Sequence, residues 1–283
     1  MDTNWVSYLD EVASLDWMRA TKQRITTLLD LHPGDIVLDA GCGTGDDARA
    51  MAVLVAPDGQ VTGLDEDGAI LDEARRRSQG TGLLVTFTSG DVQKLHFPDA
   101  TFTRCRSERM FQHVNDHHAA MRELARVLRP GGVIVVFDTD WKTLIIDADD
   151  WRTTRSLMHV YGAEHRHGWI GRMLPGLMLE VGLRDVTIEP TTQIIRNLAL
   201  AEQVHTLRKT AAFAIEQNQV TPQAVEAWFA DLRNRDAEGR FFLAVTAFIV
   251  RGRKLRGSLA DAAEVKFGNS VVESSGRDEL ELE

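Results

Sequence analysis

The stretch VLDAGCGTG, Val37–Gly45, decides the fold predicted for this chain of 283 residues. Val37 to Ala40 are typical of the end of a buried strand, and the glycines that follow turn directly into a helical stretch. Glycine is needed where the backbone approaches a ligand closely or takes a positive φ. A glycine turn after the first strand is where doubly wound α/β folds hold an adenosyl cofactor.

The spacing of this loop favours one cofactor over another. Dinucleotide-binding loops use G-x-G-x-x-G, which places a helix N-terminus against a pyrophosphate. Here the pattern is G-x-G-x-G, with Asp39 before it and Asp46 and Asp47 after it. These acids would repel a pyrophosphate but suit the ammonium and sulfonium groups of S-adenosylmethionine. The loop therefore predicts S-adenosylmethionine and argues against a nicotinamide-dependent oxidoreductase.

Two further acids follow the next two strands. Asp65 ends the second strand about twenty residues after the glycines, where an acid can accept both ribose hydroxyls. Asp91 follows the third strand, where it can take the adenine amino group or merely cap a turn. The predicted cofactor-binding residues are therefore Asp39, Gly41, Cys42, Gly43, Thr44, Gly45, Asp65, Glu66, Asp91, Val92 and Ser107.

Short apolar runs alternate with amphipathic stretches and predict a Rossmann-like, doubly wound α/β fold with a mostly parallel seven-stranded sheet. The strands are expected near Asp35–Ala40, Gln60–Leu64, Leu84–Thr88, Phe102–Arg106, Val133–Asp138, Asp185–Pro190 and Arg240–Arg251. Helices are expected at about Asp46–Val55, Gly68–Gln79, Asp116–Leu128 and Arg172–Val181.

Outside this core the pattern predicts an N-terminal helical extension and a helical lid before the last strand. Residues 1–30 carry an apolar stripe at Trp5, Tyr8, Leu9 and Val12, suited to closing over the cofactor and to contact in a homo-oligomer. Residues 31–198 plus 236–256 form the cofactor-binding core, with 141–170 as an acceptor-site insertion. Residues 199–235 form a cap of two helices, Ala199–Gln217 and Pro222–Arg233, and the acidic tail 257–283 is expected to be flexible.

These motifs resemble the class I S-adenosylmethionine-dependent methyltransferases, within them the ubiquinone/menaquinone-biosynthesis-like, type 11 small-molecule group. The matching segments are VLDAGCGTG, VTGLDEDGAILDEAR, GDVQKLHFPDATF, RVLRPGGVIVVFD and GWIGRMLPGLMLEVGLRDV. The resemblance implies that the glycine loop holds the methionine and ribose portions, Asp65 the ribose, and Asp91 and Val92 the adenine. It also implies that the Arg106–Ser107 backbone faces the methionine amino group. It says little about the acceptor.

Methyl transfer from a sulfonium mainly requires alignment and exclusion of water, and a base only where the acceptor must lose a proton. His113, just past the fourth strand, is the first candidate for a base or an acceptor-orienting residue, with an ordinary packing role equally open. The other candidates in this part of the chain are His117, His118, Asp138, Asp140, His159, Tyr161, His165 and His167.

Aromatic residues favour an apolar acceptor, although each of them also fits an ordinary packing role. The predicted acceptor-site residues are Tyr8, Trp17, Trp141, Tyr161 and Trp169. Trp141, Trp151 and Trp169 cluster in the insertion, and aromatic walls stabilise developing cations. That supports a sharper hypothesis of C-methylation of a terpenoid or indole-alkaloid carbon through a carbocation.

The composition of the chain disfavours some classes of binding partner. The formal net charge of −10 argues against nucleic acid, and no apolar run is long enough for a membrane span. Two cysteines and an N-terminus without signal-peptide features predict a reduced, cytoplasmic protein. No metal is expected, because Arg106 and Ser107 stand where metal-assisted relatives carry carboxylates.

Together these features predict an enzyme, an S-adenosylmethionine-dependent methyltransferase of secondary metabolism acting on a small, fairly apolar natural product. The alternatives are an O- or N-methyltransferase of a small molecule, or a cyclase that keeps the cofactor without methyl transfer. A sensor that binds the cofactor and regulates a partner is disfavoured, because it needs no walled acceptor site.

Overall fold

The computed structural model describes residues 3–164 and 166–256, with the backbone alone at residues 3–5 and 164. The strands are β1 (Ile36–Ala40), β2 (Gln60–Asp65), β3 (Val85–Ser89), β4 (Phe102–Glu108), β5 (Leu128–Ile146), β6 (Arg184–Ile195) and β7 (Leu243–Arg253). The helices are α1 (Thr3–Ser14), α2 (Asp16–Leu29), α3 (Asp46–Val55), α4 (Gly68–Ser78), α5 (His117–Val127), α6 (Trp151–Glu164), α7 (Ile170–Glu180), α8 (Leu198–His205), α9 (Leu207–Glu216) and α10 (Pro222–Ala237).

The seven strands form one sheet in the order β3-β2-β1-β4-β5-β7-β6. Strands β1 to β5 run parallel, and β7 is antiparallel to both β5 and β6. The chain reverses direction across the sheet between β1 and β4, which is where doubly wound folds open a ligand crevice at the carboxyl ends of the strands. The predicted doubly wound, mostly parallel sheet is confirmed.

Three clusters of buried apolar residues hold the chain together. One packs α5 and α7 against one face of the sheet, around Phe102, Phe111 and Leu174. Another packs α2 and α3 against the opposite face, around Met18 and Phe137. The third lies among α6, α8, α9 and α10 and the adjoining parts of β5, β6 and β7, so the helices between β6 and β7 pack against α6 and the sheet.

The predicted helix Ala199–Gln217 is in fact two helices, α8 and α9. Thr206 stands between them with φ +45°, a left-handed conformation that a continuous helix does not contain. The following helix begins as predicted, with the Thr221 side chain accepting a hydrogen bond from Ala224 N and Pro222 at the first helical position. The cap therefore contains three helices instead of two.

The strands β5 and β6 are longer than the sequence pattern predicted. β5 continues past Asp138 to Ile146, pairing with β7 at Ile145 and Ile146, and β6 continues past Pro190 to Ile195. The first part of the insertion 141–170 is therefore sheet, and only α6 onward is helical. The extended strands lie beside the carboxyl ends of β1 and β4.

The tail 257–283 and His165 lie outside the described residues, so the expected flexibility of the tail stays a prediction. Within the described part of the chain, no helix combines the length and apolarity that crossing a membrane requires.

Candidate active site

The glycine loop leaves β1 with positive φ angles at Gly41, Gly43 and Gly45, of +76°, +52° and +75°. Two of these positions have no room for a side chain. A Cβ on Gly41 would stand 2.8 Å from Met110, and a Cβ on Gly45 would stand 2.5 Å from the Phe87 ring. Backbone conformation and packing thus both require glycine in this loop.

Asp65 ties the end of β2 to this loop. Its Oδ2 accepts a hydrogen bond from Gly43 N at 3.0 Å, and its Oδ1 accepts one from Asp67 N at 3.1 Å. The carboxylate is only half-buried, so its remaining acceptor positions are open to a ligand. The adjacent Glu66 side chain is exposed.

Asp91 lies beyond β3 and is exposed. Its Oδ1 accepts hydrogen bonds from Gln93 N at 2.8 Å and from Gln93 Nε2 at 2.9 Å, which is the turn-capping role left open above. Val92 is buried beside it in the apolar core. The two residues stand at the edge of the loop region, and their contact with adenine stays a prediction.

The side chains of the loop itself point into the protein. Cys42 is buried, and burial raises the pKa of its thiol well above its usual range. Thr44 Oγ1 donates a hydrogen bond to Asp46 Oδ2 at 2.8 Å, just before α3 begins. What the loop presents to a ligand is therefore mainly its backbone.

A charged cluster lies beneath the loop, formed by Lys22, Asp39, Asp47, Arg106 and Glu108. Arg106 is buried and contacts all three carboxylates, with Nη1–Oδ1 2.7 Å to Asp39 and Nη2–Oδ2 2.8 Å to Asp47. Lys22 Nζ reaches Asp47 and also Glu108, at 3.1 Å. Burial opposes the charge on Arg106, but the three carboxylates outweigh it and raise its pKa.

Two buried oxygens in this region have no hydrogen-bond partner among the described residues. They are Asp39 Oδ2 and Ser107 Oγ, at the carboxyl ends of the neighbouring strands β1 and β4. A buried polar atom without a partner costs free energy, which a bound polar ligand would recover. An ammonium group is a donor for both oxygens, so these residues fit the methionine portion of S-adenosylmethionine.

The helix α1 lies over the glycine loop. Leu9 Cδ1 stands 3.6 Å from the position that a Cβ on Gly43 would occupy. The ion pair between Asp10 and Arg77, at 2.8 Å, attaches α1 to α4, and a hydrogen bond from Gln203 to Glu11, also 2.8 Å, attaches it to α8. Of the predicted stripe, Leu9 and Val12 pack within this chain, and the side chain of Trp5 lies outside the described residues.

Tyr8 and Val12 of α1 border a small, partly open cavity, which we call the acceptor cavity. It measures about 30 Å³, enough for only a water molecule or two. Its walls come from α1, α2 and α8, from the turn after β4, and from β5, β6 and β7. The lining residues are Tyr8, Val12, Trp17, Arg109, Thr139, Trp141, Thr191, Gln193, Val204, His205, Val245 and Ala247.

Three of the predicted acceptor-site residues, Tyr8, Trp17 and Trp141, meet at this cavity. Tyr161 stands behind its wall: its ring lies 5.7 Å from that of Trp141, and its hydroxyl lies 3.0 Å from His205 Nδ1. Trp169 does not reach the cavity. It caps the start of α7 with 57% of its surface exposed, so its prediction as an acceptor-site residue is not supported by its position.

The predicted catalytic residue His113 is also away from the cavity. Its side chain is exposed in the turn between β4 and α5, and it is not among the lining residues. His205, which the sequence analysis did not single out, is the histidine at the cavity wall. His159 is exposed, and His117, His118 and His167 form a separate group of rings with centroids 4.6 and 4.7 Å apart.

The candidate bases on β5 are already engaged. Asp138 is buried and accepts hydrogen bonds from Thr139 N at 3.0 Å and Gln112 N at 3.2 Å. Burial raises the pKa of its carboxyl to about 7. Asp140 is bound by Arg172, including a hydrogen bond from Nη2 at 2.9 Å. Both carboxyl groups are therefore already bound by other groups of the protein beside the cavity.

Sequence reasoning missed five polar residues of the cavity, which are Arg109, Thr139, Thr191, Gln193 and His205. Gln193 lies in the part of β6 beyond Pro190, where the strand was predicted to end. Arg109 follows β4 directly. Its position two residues after the predicted site residue Ser107 could have identified it from the sequence. His205 lies inside a helix that the pattern described only as a cap.

Across residues 3–164 and 166–256, no three His, Cys, Asp or Glu side chains converge as metal ligands.

Comparison with known proteins agrees with this geometry. The family model described as a methyltransferase domain matches residues 37–132, which contain the glycine loop, Asp65 and Asp91. An uncharacterised 37.1 kDa protein in transposon Tn4556 of Streptomyces fradiae is 37% identical over 246 residues, 87% of this chain and 70% of that protein.

A demethylmenaquinone methyltransferase from Bacillus cytotoxicus is 30% identical over 138 residues, 48% of this chain and 58% of that protein. The solved structure of a putative methyltransferase from Bacillus halodurans C-125 shares the fold with a TM-score of 0.59 at 18% identity, over 84% of this chain and 100% of that one. The chain therefore contains a methyltransferase domain over residues 37–132 with the fold of S-adenosylmethionine-dependent methyltransferases, and S-adenosylmethionine is its cofactor.

Proposed function

We propose that this methyltransferase acts on a small, fairly apolar natural product of secondary metabolism, and that the acceptor binds in the acceptor cavity. The observation that carries the proposal is the position of Tyr8, Trp17 and Trp141 around one small cavity beside the cofactor loop. Concave, mostly apolar sites with a few polar groups are typical of small-molecule binding.

Two short segments of the chain contact both the cavity and the cofactor loop. α1 places Leu9 over Gly43 and Tyr8 and Val12 at the cavity. The turn after β4 places Met110 against Gly41 and Arg109 at the cavity. When bound, the cofactor supplies an activated methyl group on a sulfonium. The protein's task is then to align the acceptor and exclude water, which a small cavity next to the loop can do.

The acceptor cavity is too small for a natural product unless its cover moves. α1 and α8 are the covering helices, and the polar contacts of α1 with the rest of the chain include a partly exposed ion pair and one exposed hydrogen bond, beside the apolar packing of Val12. Exposed ion pairs contribute only about 0–1 kcal/mol each. We therefore propose that α1 opens to admit the acceptor and closes over it, as a lid.

Aromatic walls also support the finer hypothesis of C-methylation through a carbocation. Trp17 and Trp141 line the cavity, and indole rings are able to stabilise a nearby positive charge. Trp151 and Trp169 are 60% and 57% exposed, so they take no part in this wall. For an O- or N-methylation that releases a proton, His205 at the cavity wall is a better placed base than His113.

The test is to incubate the purified enzyme with S-adenosylmethionine carrying a trideuterated methyl group and a small-molecule extract of the source cells. The proposal predicts a product that gains one trideuteromethyl group, visible by mass spectrometry. Fragmentation would then place the label on carbon, oxygen or nitrogen. A compound that changes its structure without gaining the label would instead support the cyclase alternative.

We also propose a homo-oligomer formed through α1, which the structure supports less well than the acceptor site. The apolar side chains of this helix that the structure describes pack within the chain, and its outward residues are polar. Gel filtration of the full chain decides the point, because a monomer would rule out the contact.

A further inference from the structure

Two buried donors in the acceptor cavity have no hydrogen-bond partner among the described residues. They are Gln193 Nε2, on a residue only 6% exposed, and Arg109 Nε. Gln193 lies on β6 and Arg109 follows β4, so they reach the cavity from different elements. Leaving a buried donor unpaired costs about 1–3 kcal/mol, and more for a charged group.

The protein offers Arg109 only weak compensation for its charge. The nearest carboxylate oxygen is Glu108 Oε1, 3.7 Å from Arg109 Nε, beyond hydrogen-bond distance. The other Glu108 oxygen already binds Arg106 and Lys22. Asp138 is the second acid near Arg109, and both of its oxygens accept backbone N–H groups.

We propose that the acceptor carries an anionic oxygen, such as a carboxylate or an ionised enol, which binds between Arg109 and Gln193 while its apolar body lies against Trp17 and Trp141. Two donors that reach one cavity from different elements would orient the acceptor as well as bind it, and hydrogen bonds from a guanidinium to an anion are among the strong ones in proteins. This inference rests on the proposed function, because it takes the cavity to be the acceptor site.

The experiment measures binding instead of turnover, so that its failure can be separated from failure of the proposed function. The full chain is first saturated with S-adenosylhomocysteine and then titrated calorimetrically with 2-naphthoate and with the neutral 2-naphthylmethanol. We expect the anion to bind at least about tenfold more tightly, as one charged hydrogen bond provides. Equal binding of the two probes, or no binding of either, contradicts the inference.

Variants of Arg109 and Gln193 test whether these two donors cause the tighter binding of 2-naphthoate. Arg109→Gln is expected to remove it, and Arg109→Lys to retain part of it, because lysine keeps the charge without the planar donor geometry. Arg76→Gln is the matched control, since Arg76 is an exposed arginine of α4 paired with Glu73. A naphthoate preference that survives Arg109→Gln overturns the inference.

Gln193→Met gives a readout that does not depend on Arg109. Replacing an unpartnered buried amide by an apolar side chain of similar size should leave the ligand-free melting temperature unchanged or higher. The same change should weaken naphthoate binding by about three- to tenfold. A lower melting temperature with unchanged naphthoate binding would show that the amide serves structure alone.

The two hypotheses fail in different ways. If no labelled methyl group is ever transferred, while naphthoate binding still depends on Arg109 and Gln193, the proposed function is wrong and the anion site stands. If methyl transfer occurs on a neutral acceptor and naphthoate does not bind, the anion site is wrong and the proposed function stands.

Discussion

The carboxylate of Asp65 accepts a hydrogen bond from the backbone N–H of Gly43 across 3.0 Å. This bond joins the end of β2 to the middle of the cofactor loop. The same carboxylate is the residue predicted to bind the ribose hydroxyls. One side chain thus shapes the loop and is also the one expected to face the ligand.

Replacing Asp65 by alanine should therefore weaken S-adenosylhomocysteine binding by about 10- to 100-fold, because hydrogen bonds to a charged group contribute about 1.5–3 kcal/mol. Titration calorimetry measures the effect. Asp72→Ala is the control, since Asp72 is an exposed acid of the following helix. Equal losses in the two variants would mean that Asp65 contributes only general negative charge.

The loop glycine Gly45 should tolerate substitution much less well than Gly34. Both have positive φ angles, of +75° and +88°, but only a Cβ on Gly45 meets the Phe87 ring, at 2.5 Å. Backbone strain costs each alanine variant roughly 1–2 kcal/mol. Crowding adds about 1–3 kcal/mol for Gly45→Ala alone. Urea unfolding of both variants measures the difference, and equal stabilities would contradict this packing.

Substitutions of single tryptophans distinguish residues of the cavity wall from residues at the protein surface. Trp141→Leu should lower kcat/KM for the identified acceptor by about tenfold or more, because an aromatic wall and its packing are lost. Trp151→Leu and Trp169→Leu should leave kcat/KM within about twofold, since both indoles are mostly exposed. Steady-state kinetics on the three variants decides, and an effect of Trp169→Leu as large as that of Trp141→Leu would move the acceptor site elsewhere.

His117 should make the protein less stable in mild acid. Desolvation lowers the pKa of its imidazole from the ordinary value of 6.5; the neighbouring His167 and His118 lower it further, and Asp116 and Glu180 oppose them. The unfolded chain therefore binds a proton at His117 more readily than the folded chain, and stability is lost as the pH falls below about 6.5.

Thermal unfolding between about pH 7.5 and pH 5.5 tests this origin of the acid sensitivity. His117→Phe keeps a ring beside His118 and His167 but removes the titrating group, so its melting temperature should fall less over that interval than that of the parent protein. Parallel curves for the two proteins would assign the acid sensitivity to other groups.

The cofactor loop could be predicted from sequence because its requirements are local. Gly41 and Gly45 need positive φ angles, and the spacing to Asp65 follows from one helix and one strand. The alternation of apolar and amphipathic segments likewise predicted the sheet. These features depend on neighbours along the chain, which a pattern of residues records directly.

The acceptor cavity could be predicted only in part because its walls meet through tertiary packing. Trp141 and Trp169 have similar surroundings in sequence, yet one continues β5 into the cavity wall and the other caps α7 at the surface. Gln193 was missed because Pro190 was taken to end its strand. Pro190 instead lies within β6, the edge strand, where proline is tolerated.

The central claim is that the methyl group of S-adenosylmethionine passes to a small acceptor held in the cavity behind Trp141. The most direct measurement counts labelled methyl groups in the product against S-adenosylhomocysteine released, for the parent enzyme and for Trp141→Leu. The account predicts one methyl group for each S-adenosylhomocysteine, and a parallel loss of both in the variant. Product formed without release of S-adenosylhomocysteine, or methyl transfer that Trp141→Leu leaves unchanged, would contradict it.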